Sequence, residues 1–223
     1  MKKEPFVQIQ RIQKPFFLFL SGCLFFCLIL SSGCLNLQRP ARYVEHYSLE
    51  YPSPEISGLA FMEASLILDR FQEARAFNTS AMIYRPEPFK LDAYQYHRWR
   101  VHPADLVGDH LLRDLRKAAL CKAVFSHLDP EEGGFLLEGG VEEFLEIEEQ
   151  GQRDAVLAMN VTLLDSAAKN LPDRVLFQKQ YRFQEPLEEK GPRGLAKGLS
   201  QAMRKFSEAL ICDVHEAIGS RKR

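Results

Sequence analysis

Six histidines and a clustered run of glutamates are the groups best equipped for chemistry in this 223-residue chain, and their spacing assembles neither into a site. His46, His97, His102, His110, His127 and His215 lie far apart. His97 and His102 flank the turn before the first helix, where Asp105 or Asp109 could approach them. A zinc centre needs three or four converging ligands with a satisfied second shell, and capping or surface roles suit these groups better. Glu142, Glu143 and Glu146 could act as the acid pair of a glycosidase only if they faced a cleft. Interleaved with apolar residues along one strand, they fit a solvated sheet face instead. Gly-x-Ser-x-Gly elbows, phosphate loops, dinucleotide fingerprints and Cys-x-x-Cys pairs are all missing from the sequence. The reading is of a protein that is not an enzyme, with no catalytic residue, no cofactor and no metal.

Aromatic and cationic groups offer more. Tyr94-x-Tyr96-x-Arg98-Trp99 precedes Pro103, and Tyr84-Arg85 comes shortly before. In an extended segment, Tyr94, Tyr96 and Arg98 share one face and Trp99 takes the other, since strand side chains alternate. Trp99 is expected in the core, against the helix that follows. Tyr84, Arg85, Tyr94, Tyr96 and Arg98 are candidates for binding a partner, because Tyr and Arg are favoured at interfaces. Packing that defines the fold is the competing role for Tyr94, Tyr96 and Arg98.

Two helices and a series of strands must position these residues. Strands are expected at Tyr43–Leu49, Ala64–Arg70, Ala81–Arg85 (ended by Pro86 and Pro88), Tyr94–Val101, Val124–Leu128, Phe135–Ile147, Ala155–Asp165 and Val175–Phe183. Gly139-Gly140 could bend the sixth of these, and Gln150-Gly151-Gln152 is a hairpin signal. Pro103 suits the first turn of a helix, where its missing donor costs nothing. A stripe through Leu106, Val107, Leu111 and Leu115 carries that helix to about Cys121. Leu195, Leu199, Met203, Phe206, Leu210, Val214 and Ile218 recur at helical spacing, and such a stripe must bury itself, most simply on a sheet. The expected fold class is α/β (α+β): a single mainly antiparallel or mixed sheet with two principal helices packed on one face. Glu138, Glu142, Glu143, Glu146, Glu148 and Glu149 are assigned to its solvent face and ends.

The opening segment locates the chain. Lys2, Lys3, Arg11 and Lys14 form a basic head, Phe16 to Leu30 is apolar, and Leu30-Ser31-Ser32-Gly33-Cys34 closes the stretch. That order marks an export signal. It also resembles the lipobox of bacterial lipoproteins, in which the cysteine after the cleaved bond is lipidated, although Ser31 stands where Leu is usual. Residues 1–33 are therefore read as a lipoprotein signal peptide and 34–42 as the lipidated Cys34 and its tether. Residues 43–219 are the folded domain and 220–223 a basic end. An uncleaved membrane span is the alternative, and both readings place the body outside the cytoplasm. Leu35 after the lipid site, where retained inner-membrane lipoproteins usually carry Asp, favours the outer membrane with the body in the periplasm.

The remaining 190 residues hold 25 Lys and Arg against 29 Asp and Glu, a formal balance of about -4. No concentrated basic surface recommends nucleic acid as a partner. Cys121 and Cys212 could pair in an oxidising compartment or stand as two buried thiols, since each occupies an apolar helical position.

With these residues in place the chain resembles the ABC-type transport auxiliary lipoproteins, the family that includes the PqiC-like lipoproteins. The resemblance is carried by Cys34, Tyr47-Ser48-Leu49, Met82-Ile83-Tyr84-Arg85, Tyr94-Gln95-Tyr96-His97-Arg98-Trp99 and Pro103 with the Leu106–Leu115 helix. Val161-Thr162-Leu163-Leu164-Asp165, the Val175–Phe183 strand and the terminal helix complete it. It implies a non-catalytic, tethered component that docks on an MCE-domain protein and, through it, serves an ABC permease and ATPase. Together these move phospholipid or another hydrophobic molecule across the periplasm. A homo-oligomer is compatible with that role. An envelope assembly or structural lipoprotein and a periplasmic lipid-binding carrier are the alternatives.

Overall fold

The computed structural model describes residues 43–130 and 134–221. The expected signal peptide, the tether with Cys34 and the last two residues of the basic end lie outside the described residues. Strands β1 (Glu45–Tyr47), β2 (Met62–Leu68), β3 (Gln72–Glu73), β4 (Ala81–Glu87) and β5 (Lys90–Trp99) lead into α1 (Pro103–Ala118). β6 (Cys121–Ser126), β7 (Phe135–Glu149) and β8 (Gln152–Asp165) follow, then the single turn α2 (Leu171–Arg174), β9 (Val175–Pro186) and the long α3 (Pro192–Arg221). A 3₁₀ turn at Arg75–Phe77 and the two-residue β3 carry no periodicity that the sequence could announce.

The strands make one mixed, curled sheet with β7 as its spine. Along one edge β7 pairs in parallel with β2, then β3, then β4. Along the other it pairs antiparallel with β8, which pairs in turn with β9. Outside β4 lie β5 and β1, and outside β2 lies β6. Gln150 and Gly151 both have positive φ, 52° and 80°, so the β7–β8 connection is a two-residue turn of the type whose twist matches paired strands.

The two principal helices pack on one face, as the amphipathic stripes require. Leu195, Leu199, Met203, Phe206, Leu210, Val214 and Ile218 are all buried, and the Phe206 ring meets Tyr181 of β9 edge-on at 5.3 Å between centroids. α3 approaches β8 closely at Gly198, where a Cβ would stand 2.6 Å from that of Ala155. Two carboxylates fix the helices to their surroundings. Asp114 of α1 accepts from the Tyr51 hydroxyl at 2.7 Å, and Asp213 of α3 accepts from Tyr181 at 2.6 Å.

Several boundaries move. α1 stops at Ala118 because Ala119 adopts a left-handed conformation (φ 51°) and Cys121 opens β6. β4 continues through Pro86 to Glu87, and Pro88 takes the hairpin turn. Cys121 and Cys212 are not joined to each other. Cys121 is half-buried on a strand and Cys212 is exposed on α3, so the expectation of two buried helical thiols fails as well.

Phe206→Asp is expected to lower stability by more than about 3 kcal/mol, because its carboxylate would find neither water nor a cation at that depth. A thermal melt within a degree of the parent would show that the α3 stripe is not the seal between helix and sheet.

Candidate functional site

β7 does not alternate evenly. Val141 pairs with Met159 but Glu143 pairs with Ala158, so Glu142 is an extra residue without an opposite partner. Such a bulge reverses which face later side chains take. Downstream, Phe144 lies opposite Leu157 and Glu146 opposite Ala155, the residue against which α3 packs. Glu146 therefore points to the helix-bearing face, where it is 1% exposed. Its assignment to the solvent face is wrong, and the bulge is the reason. Gly139-Gly140, offered as the place of a bend, keeps regular register. A Cβ at Gly139 would lie 2.3 Å from the Asn160 carbonyl oxygen, so glycine there permits close strand approach.

β5 carries a larger irregularity. It advances five residues, from Arg98 to Ala93, while β4 advances two, from Ala81 to Ile83. The excess falls on Tyr94 to His97. Tyr94 consequently turns inward, its hydroxyl donating to Glu146 Oε2 at 2.8 Å and its ring lying 4.8 Å from that of Tyr84. Trp99 is buried against Phe144, 5.1 Å between centroids, on the same face as Glu146. The expectation that Tyr94 and Trp99 occupy opposite faces is thus corrected. Arg98 reaches back to the carbonyl oxygens of Tyr94 and His97, at 3.2 and 3.4 Å, which the irregular segment withdraws from the ladder.

These residues form one connected arrangement. Glu146 also meets Arg153 Nη1 at 3.0 Å, and Arg153 pairs with Glu148 at 2.6 Å. Arg85 pairs with Glu149 at 2.8 Å. The Tyr94 ring stands perpendicular to His97, which in turn lies 5.8 Å from the Tyr47 ring. An open groove of about 480 Å³ runs along this surface, lined by Tyr84, Asp92, Ala93, Tyr94, Gln95 and Arg98. Of the five candidate partner residues, Tyr84, Tyr94 and Arg98 line the groove, Arg85 is held beside Glu149, and Tyr96 is half-buried on the same strand.

Burial governs the protonation of this cluster. It pushes the Glu146 carboxyl above the usual glutamate range, against the opposing pull of the Tyr94 donor and the Arg153 charge. The Tyr94 hydroxyl is raised by burial and by its bond to Glu146. Tyr47, raised by its partial burial and then by its bond to Glu45, is pushed up to about 12. Arg153 was not singled out in the sequence, and Glu146 was considered only as a glycosidase acid or a solvent-face charge. A readable signal for Arg153 did exist: the Gln150-Gly151 turn places it across from Glu148 and diagonal to Glu146.

The histidines do not converge. His102 Nδ1 lies 3.1 Å from Glu73, while Asp105 pairs with Arg70. His110 lies against the backbone oxygens of Leu106 and Leu49. Among the described residues, no three His, Cys, Asp or Glu groups are placed to hold a metal ion.

One protein-family model matches residues 47–210, that of the ABC-type transport auxiliary lipoprotein component. Among solved structures, protein XCC0632 from Xanthomonas campestris has a similar fold, with a TM-score of 0.73 at 17% identity over 80% of this chain and 99% of its own. A second, described as an uncharacterized protein, gives 0.61 at 11% identity over 77% of this chain and 99% of its own. Among curated proteins none matches the sequence.

A carboxyl raised on folding stabilises the native state fully below its unfolded value, ordinarily about 4.5, and loses that contribution as pH climbs through its folded value. Glu146→Gln stays neutral throughout. Its stability relative to the parent should therefore rise between about pH 4 and pH 7, read from denaturant melts across that interval. A flat difference would mean that Arg153 and Tyr94 balance burial, and one that moves toward the parent that they outweigh it.

Proposed function

Because the chain belongs to the ABC-type transport auxiliary lipoprotein component family, matching its model over residues 47–210, we propose that it is a non-catalytic adaptor acylated at Cys34. The acyl groups hold it in the outer membrane with its body in the periplasm. There it docks on an MCE-domain protein and serves the attached permease and ATPase in moving phospholipid or a similarly hydrophobic molecule. The observation that carries this reading is the family match standing behind an export segment that ends in Gly33-Cys34. Two or three acyl chains give lasting attachment, since each buried methylene contributes roughly 0.8 kcal/mol.

Docking through protein surface, rather than carriage of lipid in an interior channel, is supported by how the helix–sheet interface is filled. Leu195, Leu199, Met203, Phe206 and Leu210 of α3 are sealed against Met159, Val161 and Leu163 of β8, all without exposure to solvent. Polar residues and tyrosines line the β4–β5 groove instead, which suits a protein contact. Tyr84 is its most suitable anchor. Its ring rests on Tyr94 and its hydroxyl interacts with the exposed Asp92, whereas the Tyr94 hydroxyl is committed to the buried Glu146.

Cys34→Ser should abolish palmitate labelling and leave the precursor unprocessed or the body unattached; labelling equal to the parent would remove Cys34 as the anchor. Crosslinking in intact cells should join the parent to an MCE-domain protein. Tyr84→Ala should reduce that adduct several-fold with the thermal melt little changed. An adduct of undiminished yield would place the contact elsewhere, and an exclusive adduct to a secretion or assembly component would replace the transport reading with an assembly one.

A further inference from the structure

One end of the sheet gathers features that the docking role does not use. The β4–β5 hairpin turns through Pro88 and Phe89, and Phe89 has φ 67° with its side chain wholly exposed. Proline followed by a positive-φ residue is the pattern of a type II turn, whose third position favours Gly or Asn. A bulky aromatic group in that conformation is unusual and strained. Leu91, half-exposed, stands just behind it. Two ion pairs flank the tip, Lys90 with Glu87 at 3.2 Å and Arg85 with Glu149 at 2.8 Å, and the exposed Asp92 accepts from the Ala93 N–H. Since β4 runs parallel to β7, the uncharged Gln150–Gly151 turn lies at this same end.

The first strand is directed away from this end. β1 is parallel to β5, with Glu45 beside His97 and His46 beside Arg98, so β1 runs away from the hairpin tip and its first residue, Glu45, is the end nearer to it. Tyr43 and Val44, just before β1, are exposed. From the level of Ala81, which pairs with Arg98, β4 rises six residues to Glu87, about 20 Å at 3.3 Å each. The nine residues from Cys34 to Tyr43 can span up to about 30 Å. A tether of that reach lets the tip touch the surface in which its own first residue is fixed.

We propose that Phe89, backed by Leu91, inserts into the lipid surface that holds the acylated Cys34, giving the domain a second contact that sets its orientation on the membrane. This rests on the acylation at Cys34 proposed above. An apolar tip suits the boundary between headgroups and acyl chains, where Phe and Leu of peripheral proteins settle about 5–10 Å deep.

The test uses the full-length acylated protein carrying Phe89→Trp, on phosphatidylethanolamine–phosphatidylglycerol vesicles with brominated acyl chains. Trp99, the single native tryptophan, is buried and supplies the background. The expected result is co-flotation with vesicles and bromine quenching of the indole placed at position 89, about twofold or more above the parent, from a depth of about 5–10 Å. Protein that floats with quenching no greater than the parent overturns the second contact and leaves the anchor standing. Protein that stays at the bottom of the gradient overturns the acylation reading and this inference with it. A photoreactive group at position 89 that labels protein and no lipid in intact cells would assign the tip to a protein partner instead.

Discussion

An extra residue at Glu142 decides which side chains the sheet sends toward its helices. Regular alternation from Leu137 and Val141 would bring Glu143, Leu145 and Ile147 inward and leave Glu146 in water. With the bulge, Phe144 turns in to meet Trp99, and Glu146 arrives opposite Ala155, under the end of α3. Leu145 and Ile147 are buried as well, on the face shared with Ile83 of β4, so the sheet is dry on both sides at this level. A two-sided apolar layer of this kind tolerates a carboxylate only if donors come to it. Tyr94 and Arg153 do so, and Tyr94 can reach because β5 carries its own irregularity at that height. The two departures from regular pairing are thus coupled: one delivers the acid and the other its donor.

The same chemical unit recurs where the helices are held. Asp114 in α1 accepts from Tyr51 and pairs with Arg113 at 2.8 Å. Asp213 in α3 accepts from Tyr181 and pairs with Lys179 at 2.7 Å. Each carboxylate has one phenolic donor and one cation, which keeps its desolvation affordable. Burial, followed by the hydrogen bond to the acid, raises both tyrosines well above their ordinary range, so each remains a donor at any physiological pH. Bonds to a charged acceptor are directional and short. They set helix azimuth in a way that the apolar stripe, which tolerates sliding, does not.

Long periodic elements were legible and the short or irregular ones were not. The α3 stripe, the β7–β8 hairpin signal and Pro103 at the start of α1 identify elements because each rests on a repeat or on turn chemistry. β3 and the 3₁₀ turn escaped because two or three residues cannot carry a period. The bulge at Glu142 escaped for a different reason. Leu145-Glu146-Ile147 and Glu142-Glu143 satisfy alternation in either phase, and only the pairing with β8 chooses between them. Of the tyrosines and arginines picked out on β4 and β5, Tyr84, Tyr94 and Arg98 line one groove. Their division of labour could not be read, since Arg98 serves carbonyls exposed by an irregularity that no residue type announces. Cys212 was misplaced because a helix position between Ile211 and Asp213 can face either way.

A filled interior has a consequence for how such a domain can act. With the α3 stripe and the inward residues of β7 and β8 sealed together, a ligand can enter between helix and sheet only by displacing packed side chains, at a cost of several kcal/mol for even one large group. Surface contacts carry no such penalty. The groove beside Tyr84 and the Phe89 tip belong to the same two strands, β4 and β5, whose inward residues are fixed by Glu146 and Phe144. A partner bound along the groove and a surface touched at the tip would therefore be held at a constant separation by one short, rigid hairpin. That geometry suits a protein whose contribution to transport is placement.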